Sequence, residues 1–425
     1  MTPTAPRIDA VFDLDPLLTE EERGWQLRAR RFAQERILPV IEDDFEAKHF
    51  RREFVRELGE LELLGMHLQG YGCAGAGAVS YGLVCLELEA ADSGWRTFVS
   101  VQGSLAMSAI HRYGSEEQKL EWLPGMARGE VIGCFALTEP HGGSDPAAMT
   151  TTARRDGDEW VIDGAKRWIG LASLADVAVV WARVDDPTGP SLPSGSAVTS
   201  LRDAPEPAAV GPGSGADGQG AGAVRGFLVP TSTPGFTATP IGGKLSMRAS
   251  VQCDIAFDGV RVPVDAILPG AKGLSGPFGC LNEARYGIVW GAMGAARSCL
   301  EAAIARSTSR EVFGKPIGAN QLVQAKLADM FLEVEKGILL ALHLGRLKER
   351  GALTPAQISV GKLNSVREAL HIAHEARAIL AGDGITSEFP VMRHAANLES
   401  VRTYEGTDEI HQLILGRELT GLNAF

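Results

Sequence analysis

Apolar residues recur every three or four positions in the first third of the chain and again in the last, while the middle third alternates. Near the start, Trp25, Leu27, Phe32, Ile37 and Leu38 form a mostly 3–4-spaced stripe, the mark of a helix with one buried face. Thr19-Glu20-Glu21-Glu22 precedes it and reads as a capping box, in which hydroxyl and carboxylate each satisfy an orphan backbone N–H. Ser115-Glu116-Glu117-Gln118 repeats the device ahead of Trp122 and Leu123, and a glycine-rich stretch over 70–77 separates two helical runs. From about Val131 the pattern changes. Asp156-Gly157 sits between 151–155 and 159–162, a hairpin signal. A β-branched run over 177–184 and shorter runs at 226–229 and 252–262, the last expected to turn at Asp258-Gly259, complete a β-rich region. Helical spacing returns from Leu281. Thr354-Pro355-Ala356-Gln357 sets an N-cap, an N1 proline and an N3 glutamine in register. The helix it opens should reach Leu380 before Gly382 and Gly384 stop it.

That order predicts an α+β multidomain chain: an extension over 1–18, a helical domain over 19–133, a β domain over 134–264 and a helical domain over 265–425. At 425 residues one core is not enough. The β region is interrupted over 185–224 by Pro, Gly, Ser and Ala with almost no large apolar side chain. Such a segment cannot bury enough surface to offset its ordering entropy, so a disordered surface insertion is expected. The net charge of −12 argues against nucleic acid or an anionic membrane as a bulk partner. The six cysteines are scattered, with no CxxC pair, which points to reduced thiols in a cytoplasmic protein and to no metal site. Asp9, Asp13 and Asp15 interrupt the first residues, unlike a signal peptide. No window approaches 18 uninterrupted apolar residues, so no membrane span is expected. Asn423-Ala424-Phe425 is not a peroxisomal tripeptide.

Two segments carry candidate chemistry. Phe135-Ala136-Leu137-Thr138-Glu139-Pro140-His141-Gly142-Gly143-Ser144-Asp145 joins an apolar run to a small-residue turn rich in backbone N–H groups, suited to an anionic cofactor. A generic turn after a strand has the same look. Tyr404-Glu405-Gly406-Thr407 places a carboxylate on a glycine-broken hinge. A carboxylate that serves as a general base must be close to its proton and partly desolvated, so that its pKa rises. The plainer reading leaves Glu405 solvated, with Thr407 or Asp408 capping the next helix. Trp168 either packs on a flat cofactor or faces inward from a strand. Arg96 is the only charged residue in 93–110 and falls near a helix N-terminus, the wrong end for a cation. It calls for a partner: Glu89 or Asp92 in a buried ion pair, or a substrate carboxylate matched by its planar fork. Arg310 and Gln321, taken alone, read as surface residues.

In their order these segments resemble the acyl-CoA dehydrogenase family, and within it the glutaryl-CoA branch. The resemblance runs from about Asp15 to Phe425 outside the insertion. It includes Gly70-Tyr71-Gly72-Cys73-Ala74-Gly75, Asp92-Ser93-Gly94-Trp95-Arg96, Gly279-Cys280-Leu281-Asn282-Glu283-Ala284-Arg285 and Leu413-Ile414-Leu415-Gly416-Arg417. It implies a helical N-terminal domain, a β-barrel middle domain and a C-terminal four-helix bundle, assembled as a homotetramer with FAD at subunit interfaces. It implies Glu405 as the catalytic base, taking the α-proton while the β-hydrogen leaves as hydride to flavin N5. The thioester oxygen would be held by the Glu405 N–H and a ribityl hydroxyl. Flavin contacts would come from Phe135, Leu137, Thr138, Gly143, Ser144, Trp168, Ile169, Gly170, Thr407 and Phe425. Arg310, Phe313, Gln321, Ala381 and Gly382 would reach a neighbouring subunit's FAD.

Substrate contacts would come from Ser144, Phe278, Leu281, Asn282, Arg285 and Gly406. Arg96 with Glu89, Thr97 and Tyr404 would hold a distal carboxylate. Glutaryl-CoA would then be oxidised and decarboxylated to crotonyl-CoA and CO2, with electrons passed to an electron-transferring flavoprotein. Two departures stand out. Trp168-Ile169-Gly170-Leu171 replaces the Trp-Ile-Thr-Asn of many relatives, so a hydroxyl that often bonds flavin N5 is missing. That keeps a short-chain acyl-CoA oxidase open, beside a dehydrogenase of another short acyl-CoA and a non-catalytic flavin-binding protein. Ala381-Gly382 stands where a double glycine is expected, the milder change of the two.

Overall fold

The computed structural model describes residues 11–185 and 224–424, so most of the expected insertion, and Phe425, lie outside the described residues. Helix Glu20–Phe32 opens on Thr19, whose hydroxyl accepts from Glu22 N at 3.2 Å while the Glu22 carboxylate accepts from Thr19 N at 2.8 Å. The same reciprocal cap opens Glu116–Ala127 at Ser115 and Pro355–Leu380 at Thr354. The buried face departs from the predicted stripe. Leu27 and Leu38 are exposed, and Ala29, Phe32, Ala33 and Ile37 line the core. A π-helical turn over Ala33–Ile37 rotates the face there. Helix Ser93–Val99 starts at Asp92, whose carboxylate accepts from Gly94 N at 2.7 Å. It continues through a π-helical stretch, Ser100–Met107, into Ser108–Tyr113.

Among the described residues, the strand-rich third folds into a curled, barrel-like sheet of seven strands. Val177–Asp185 runs parallel to Gly133–Ala136 and antiparallel to Val224–Pro230. Thr152–Asp156, Glu159–Gly170, Gln252–Pro263 and Phe236–Pro240 follow it in spatial order. The Asp156-Gly157 hairpin forms, with Gly157 at φ +60°. Asp258-Gly259 does not turn the chain. Gln252–Pro263 continues through it as one strand, and Gly259, at φ +60°, donates its N–H to Asp163 at 2.8 Å beside a register shift. An Asp-Gly pair suits a bulge as well as a turn, and only the partner strand decides.

Helices Ser275–Ser309, Gln321–Glu349 and Pro355–Leu380 dominate the last third, followed by Val391–Val401 and Asp408–Thr420. Ser275–Ser309 is long and apolar enough to cross a bilayer, but most of that window is buried against Ala78–Ala91 and Pro355–Leu380. A helix apolar all round is here a core helix. Ile288, Trp290 and Met293 are fully buried, and burial of each such side chain contributes about 1.5–3 kcal/mol. Pro355–Leu380 ends at Ala381, one residue before the first of the expected glycines. Ala381 adopts φ +54°, ψ −124°, a conformation open to glycine and resisted by a Cβ. Alanine at this position is therefore not the milder departure that its size suggests.

Candidate active site

The 404–406 turn links Val391–Val401 to Asp408–Thr420. Glu405 has φ +57° and Gly406 φ +103°. At Gly406 a Cβ would also come within 2.9 Å of His411 Nε2, so glycine is required twice over. Cations from two other helices hold the turn's three successive carbonyls. Arg285 Nε donates to Glu405 O at 2.7 Å, and Lys362 Nζ donates to Tyr404 O at 2.6 Å and Gly406 O at 2.5 Å. Thr407 is the next N-cap, its hydroxyl accepting from Ile410 N at 3.4 Å. Glu405 is nevertheless not solvated at its tip: Oε2 is buried with no hydrogen-bond partner among the described residues. Burial raises its pKa above the usual carboxylate value, against the pull of Arg96, Lys362 and Arg285.

Arg96 reaches the same place from Ser93–Val99. Its Nε donates to Glu89 Oε2 at 2.5 Å and its Nη2 to the Tyr404 hydroxyl at 2.5 Å, which lies 3.0 Å from Thr97 Oγ1. Both members of the ion pair are 0% exposed. Gly291 on the facing helix makes the room, since a Cβ there would collide with Glu89 Oε2. Asp92 is engaged elsewhere, with Arg393 at 3.3 Å and Asn397 at 2.9 Å. Among the described residues, Arg96 Nη1 and Glu89 Oε1 are buried and find no partner. An unsatisfied buried group costs on the order of 1–3 kcal/mol, more when charged, and such a donor is ready for an anionic oxygen. The ion-pair and ligand readings of Arg96 are thus compatible: two nitrogens are engaged internally and one is not. Arg285 Nη1 also donates to Asn282 Oδ1 at 3.1 Å. The cluster gathers Glu89, Arg96, Thr97, Asn282, Arg285, Tyr404, Glu405 and Gly406. Leu281 is half-buried on the same helix, while Phe278, 37% exposed, and Ser144 stand outside these hydrogen bonds.

The 137–151 loop leaves Gly133–Ala136 and is organised by a buried pair. Glu139 Oε1 accepts from Thr151 N and Lys166 Nζ, each at 2.9 Å, and Oε2 accepts from Thr150 N at 2.6 Å and its hydroxyl at 2.7 Å. Lys166 also donates to Leu137 O at 3.0 Å. Burial opposes the Glu139 charge, yet Lys166 and the threonine donors hold its pKa to about 2. Phe135 and Leu137 are buried, with the Phe135 ring 5.8 Å from that of Trp181, so those side chains serve the core. Thr138 is half-buried, and Gly143 and Ser144 are exposed. Trp168 stands at a bulge with φ +63°, 52% exposed, the Arg167 guanidinium 5.0 Å from its ring. It is not an inward strand aromatic. Ile169 is buried, and Gly170 pairs with Gln252. A Cβ at Gly170 would meet Val101 at an ordinary 3.5 Å. Arg310, Phe313, Gln321, Ala381 and Gly382 are exposed, Phe313 completely so at 100%. An outward indole beside an open glycine turn, and a bare phenylalanine near an arginine, fit a flat aromatic group that carries phosphates.

Comparison with known proteins settles the lineage. Profiles of the N-terminal, middle and C-terminal domains of acyl-CoA dehydrogenase match residues 19–130, 134–205 and 271–420. The chain belongs to the acyl-CoA dehydrogenase family. A glutaryl-CoA dehydrogenase from Mycobacterium smegmatis, solved with FADH2, is 54% identical with a TM-score of 0.88, covering 98% of each chain. A glutaryl-CoA dehydrogenase solved with glutaryl-CoA is 30% identical with a TM-score of 0.84, over 95% of this chain and 96% of its own. The mitochondrial short-chain specific acyl-CoA dehydrogenase of Bos taurus is 32% identical over 405 residues, 95% of this chain and 90% of its own. This member of the family is an enzyme scaffold whose acid, Glu405, is half-buried with its Oε2 turned away from solvent. Lys362 and the Glu139–Lys166 pair carry no mark in the sequence pattern.

Proposed function

We propose that this chain oxidises glutaryl-CoA with FAD and releases crotonyl-CoA and CO2. The observation that carries the reading is Arg96 Nη1, buried and unpartnered in the cluster that also holds Glu405. A monocarboxylic acyl chain offers that donor nothing, whereas a dicarboxylic one offers an oxygen. The similarity to two glutaryl-CoA dehydrogenases supports the same substrate. FAD supplies a hydride acceptor for the β-hydrogen, held by the 137–144 loop, Trp168 and, across an interface, Arg310 and Phe313. Glu405 removes the α-proton, and its burial makes it a stronger base than a solvated carboxylate. Arg96, backed by Glu89, Tyr404 and Thr97, holds the distal carboxylate. After desaturation the bond to that carboxylate breaks, its electron pair passes into the thioester-stabilised dienolate, and CO2 leaves. Protonated Glu405 returns its proton to give crotonyl-CoA. Electrons then pass to an electron-transferring flavoprotein, and homotetramer assembly covers the bare Phe313 hairpin.

Anaerobic mixing of the FAD-loaded protein with glutaryl-CoA should bleach the flavin and yield CO2 with crotonyl-CoA. No bleaching, or a preference for butyryl-CoA, would defeat the proposal. Arg96→Ala should depress glutaryl-CoA turnover far more than butyryl-CoA turnover, since only the dicarboxylic substrate would be left with a buried, unpaired carboxylate, a loss of about 3–5 kcal/mol. Equal losses on both substrates would reduce Arg96 to a structural part. Gly170 favours a second reading, a short-chain acyl-CoA oxidase, because the space there accepts a side chain that this chain does not supply. Hydrogen peroxide formed as fast as an artificial acceptor is reduced would support it.

A further inference from the structure

We propose that Lys362 is a positioning residue for the base: its ammonium clamps the 404–406 turn and keeps the Glu405 carboxylate in its proton-accepting form. This rests on the reading of Glu405 as the base. Lys362 lies within Pro355–Leu380 and is 1% exposed. Among the described residues no carboxylate accepts a hydrogen bond from it; both of its bonds go to the carbonyls on either side of Glu405, at 2.6 and 2.5 Å. Buried lysines ordinarily face an acid directly, as Lys166 faces Glu139 at 2.9 Å, because an unpaired buried charge is expensive. Lys362 instead faces an acid across its backbone. A left-handed Glu405 followed by Gly406 at φ +103° turns carbonyls toward the interior, where without donors they would be unsatisfied. The lysine answers two of them and Arg285 the third. The carboxylate is left free of donors while a positive charge stays near it.

The surrounding charges are few and identifiable. Arg96 faces Glu405 from Ser93–Val99, Arg285 from Ser275–Ser309 and Lys362 from Pro355–Leu380. Glu89 is engaged by Arg96, and Asp408 by Arg367 at 3.2 Å and Arg402 at 2.9 Å. His411, bonded to Ser359 at 2.9 Å, has its pKa lowered to about 3, chiefly by burial, and is neutral. Tyr404 is pushed up to about 12 by burial and keeps its proton. Burial lowers Lys362 to about 7 and raises Glu405, and each charge steadies the other.

The test follows the Glu405 carboxyl itself by infrared difference spectroscopy across pH in the FAD-loaded protein, with the Glu405→Gln spectrum subtracted. Lys362→Gln keeps two N–H donors and loses the charge. Its Glu405 midpoint should rise by about one pH unit, and the acid limb of kcat/KM should move with it. Lys362→Arg keeps the charge but cannot seat its wider fork between the two carbonyls. Its midpoint should stay at the wild-type value while kcat falls at least about tenfold. An unmoved midpoint in folded, FAD-loaded Lys362→Gln overturns the charge effect. Should that variant fail to hold FAD, Lys362→Arg decides alone, and wild-type kcat in it overturns the clamp. Failure of the underlying reading shows separately, as full turnover in Glu405→Gln, and leaves the infrared titration interpretable.

Discussion

Glu87 is a buried glutamate and Glu405 a half-buried one with a buried Oε2, and their surroundings drive them in opposite directions. Glu87 accepts from Gln26 at 2.8 Å, from Arg30 at 2.9 and 3.1 Å and from Arg297 at 2.7 and 3.0 Å. Burial disfavours its charge, yet Arg297 and Arg30 hold its pKa to about 2. At Glu405 two of the three neighbouring cations, Arg285 and Lys362, are engaged by backbone carbonyls, Oε2 has no partner among the described residues, and burial raises the pKa. Depth alone therefore does not make a base. What matters is whether donors bind the carboxylate or the peptide groups that hold it. The first arrangement fixes an anion for structure, and the second leaves a carboxylate able to gain and lose a proton.

The largest effect that sharpens this contrast is on turnover. Glu405→Gln should lower the rate of flavin reduction by at least about 10²–10⁴-fold, measured by anaerobic stopped flow, while Glu87→Gln should leave it near wild type. A comparable loss in both would erase the distinction. Stability should behave in the reverse way. Removing the Glu87 charge takes the buried carboxylate away from Arg30 and Arg297 and should cost about 3–5 kcal/mol in denaturant unfolding. Glu405→Gln should cost nothing at neutral pH, because a carboxyl whose folded pKa lies above 4.5 destabilises the folded state once ionised.

The pH dependence carries the same sign argument. Glu87 has a folded pKa of about 2 against an ordinary 4.5. Its contribution, on the order of 3 kcal/mol, is present above the unfolded value and lost as pH falls toward 2. Unfolding curves for the wild type and Glu87→Gln should therefore converge in acid. Curves that stay parallel below pH 4.5 would contradict the assignment. The smallest effect concerns backbone. Ala381 shares a positive φ with Glu405 but has no cationic clamp on its carbonyl, so Ala381→Gly should stabilise the protein by about 1 kcal/mol, read as a higher Tm. An unchanged or lower Tm would mean that the strain is absent.

Much of the fold is legible in the sequence where the signal is local. Thr19, Ser115 and Thr354 announce helix starts because a cap needs only residues three positions apart, and Gly157 announces a hairpin for the same reason. Asp258-Gly259 misleads because a bulge and a turn ask the same of glycine. Glu405 and Arg96 stand out as charges in the wrong company, so the site is legible as a set of anomalies. Lys362 is not, because its partners are carbonyls 42 and 44 residues away, and a carbonyl leaves no mark in a sequence. The outward turn of Trp168 is equally hidden, since the register shift against Gln252–Pro263 sets it.

The central claim, that Glu405 moves the α-proton, can be tested apart from hydride transfer. The FAD-loaded protein, reduced beforehand so that oxidation cannot proceed, is incubated with glutaryl-CoA in deuterium oxide, and loss of the α-hydrogen signal is followed by NMR. The wild type should exchange that hydrogen readily and Glu405→Gln at least about a thousandfold more slowly. Equal exchange in the two proteins would contradict the account.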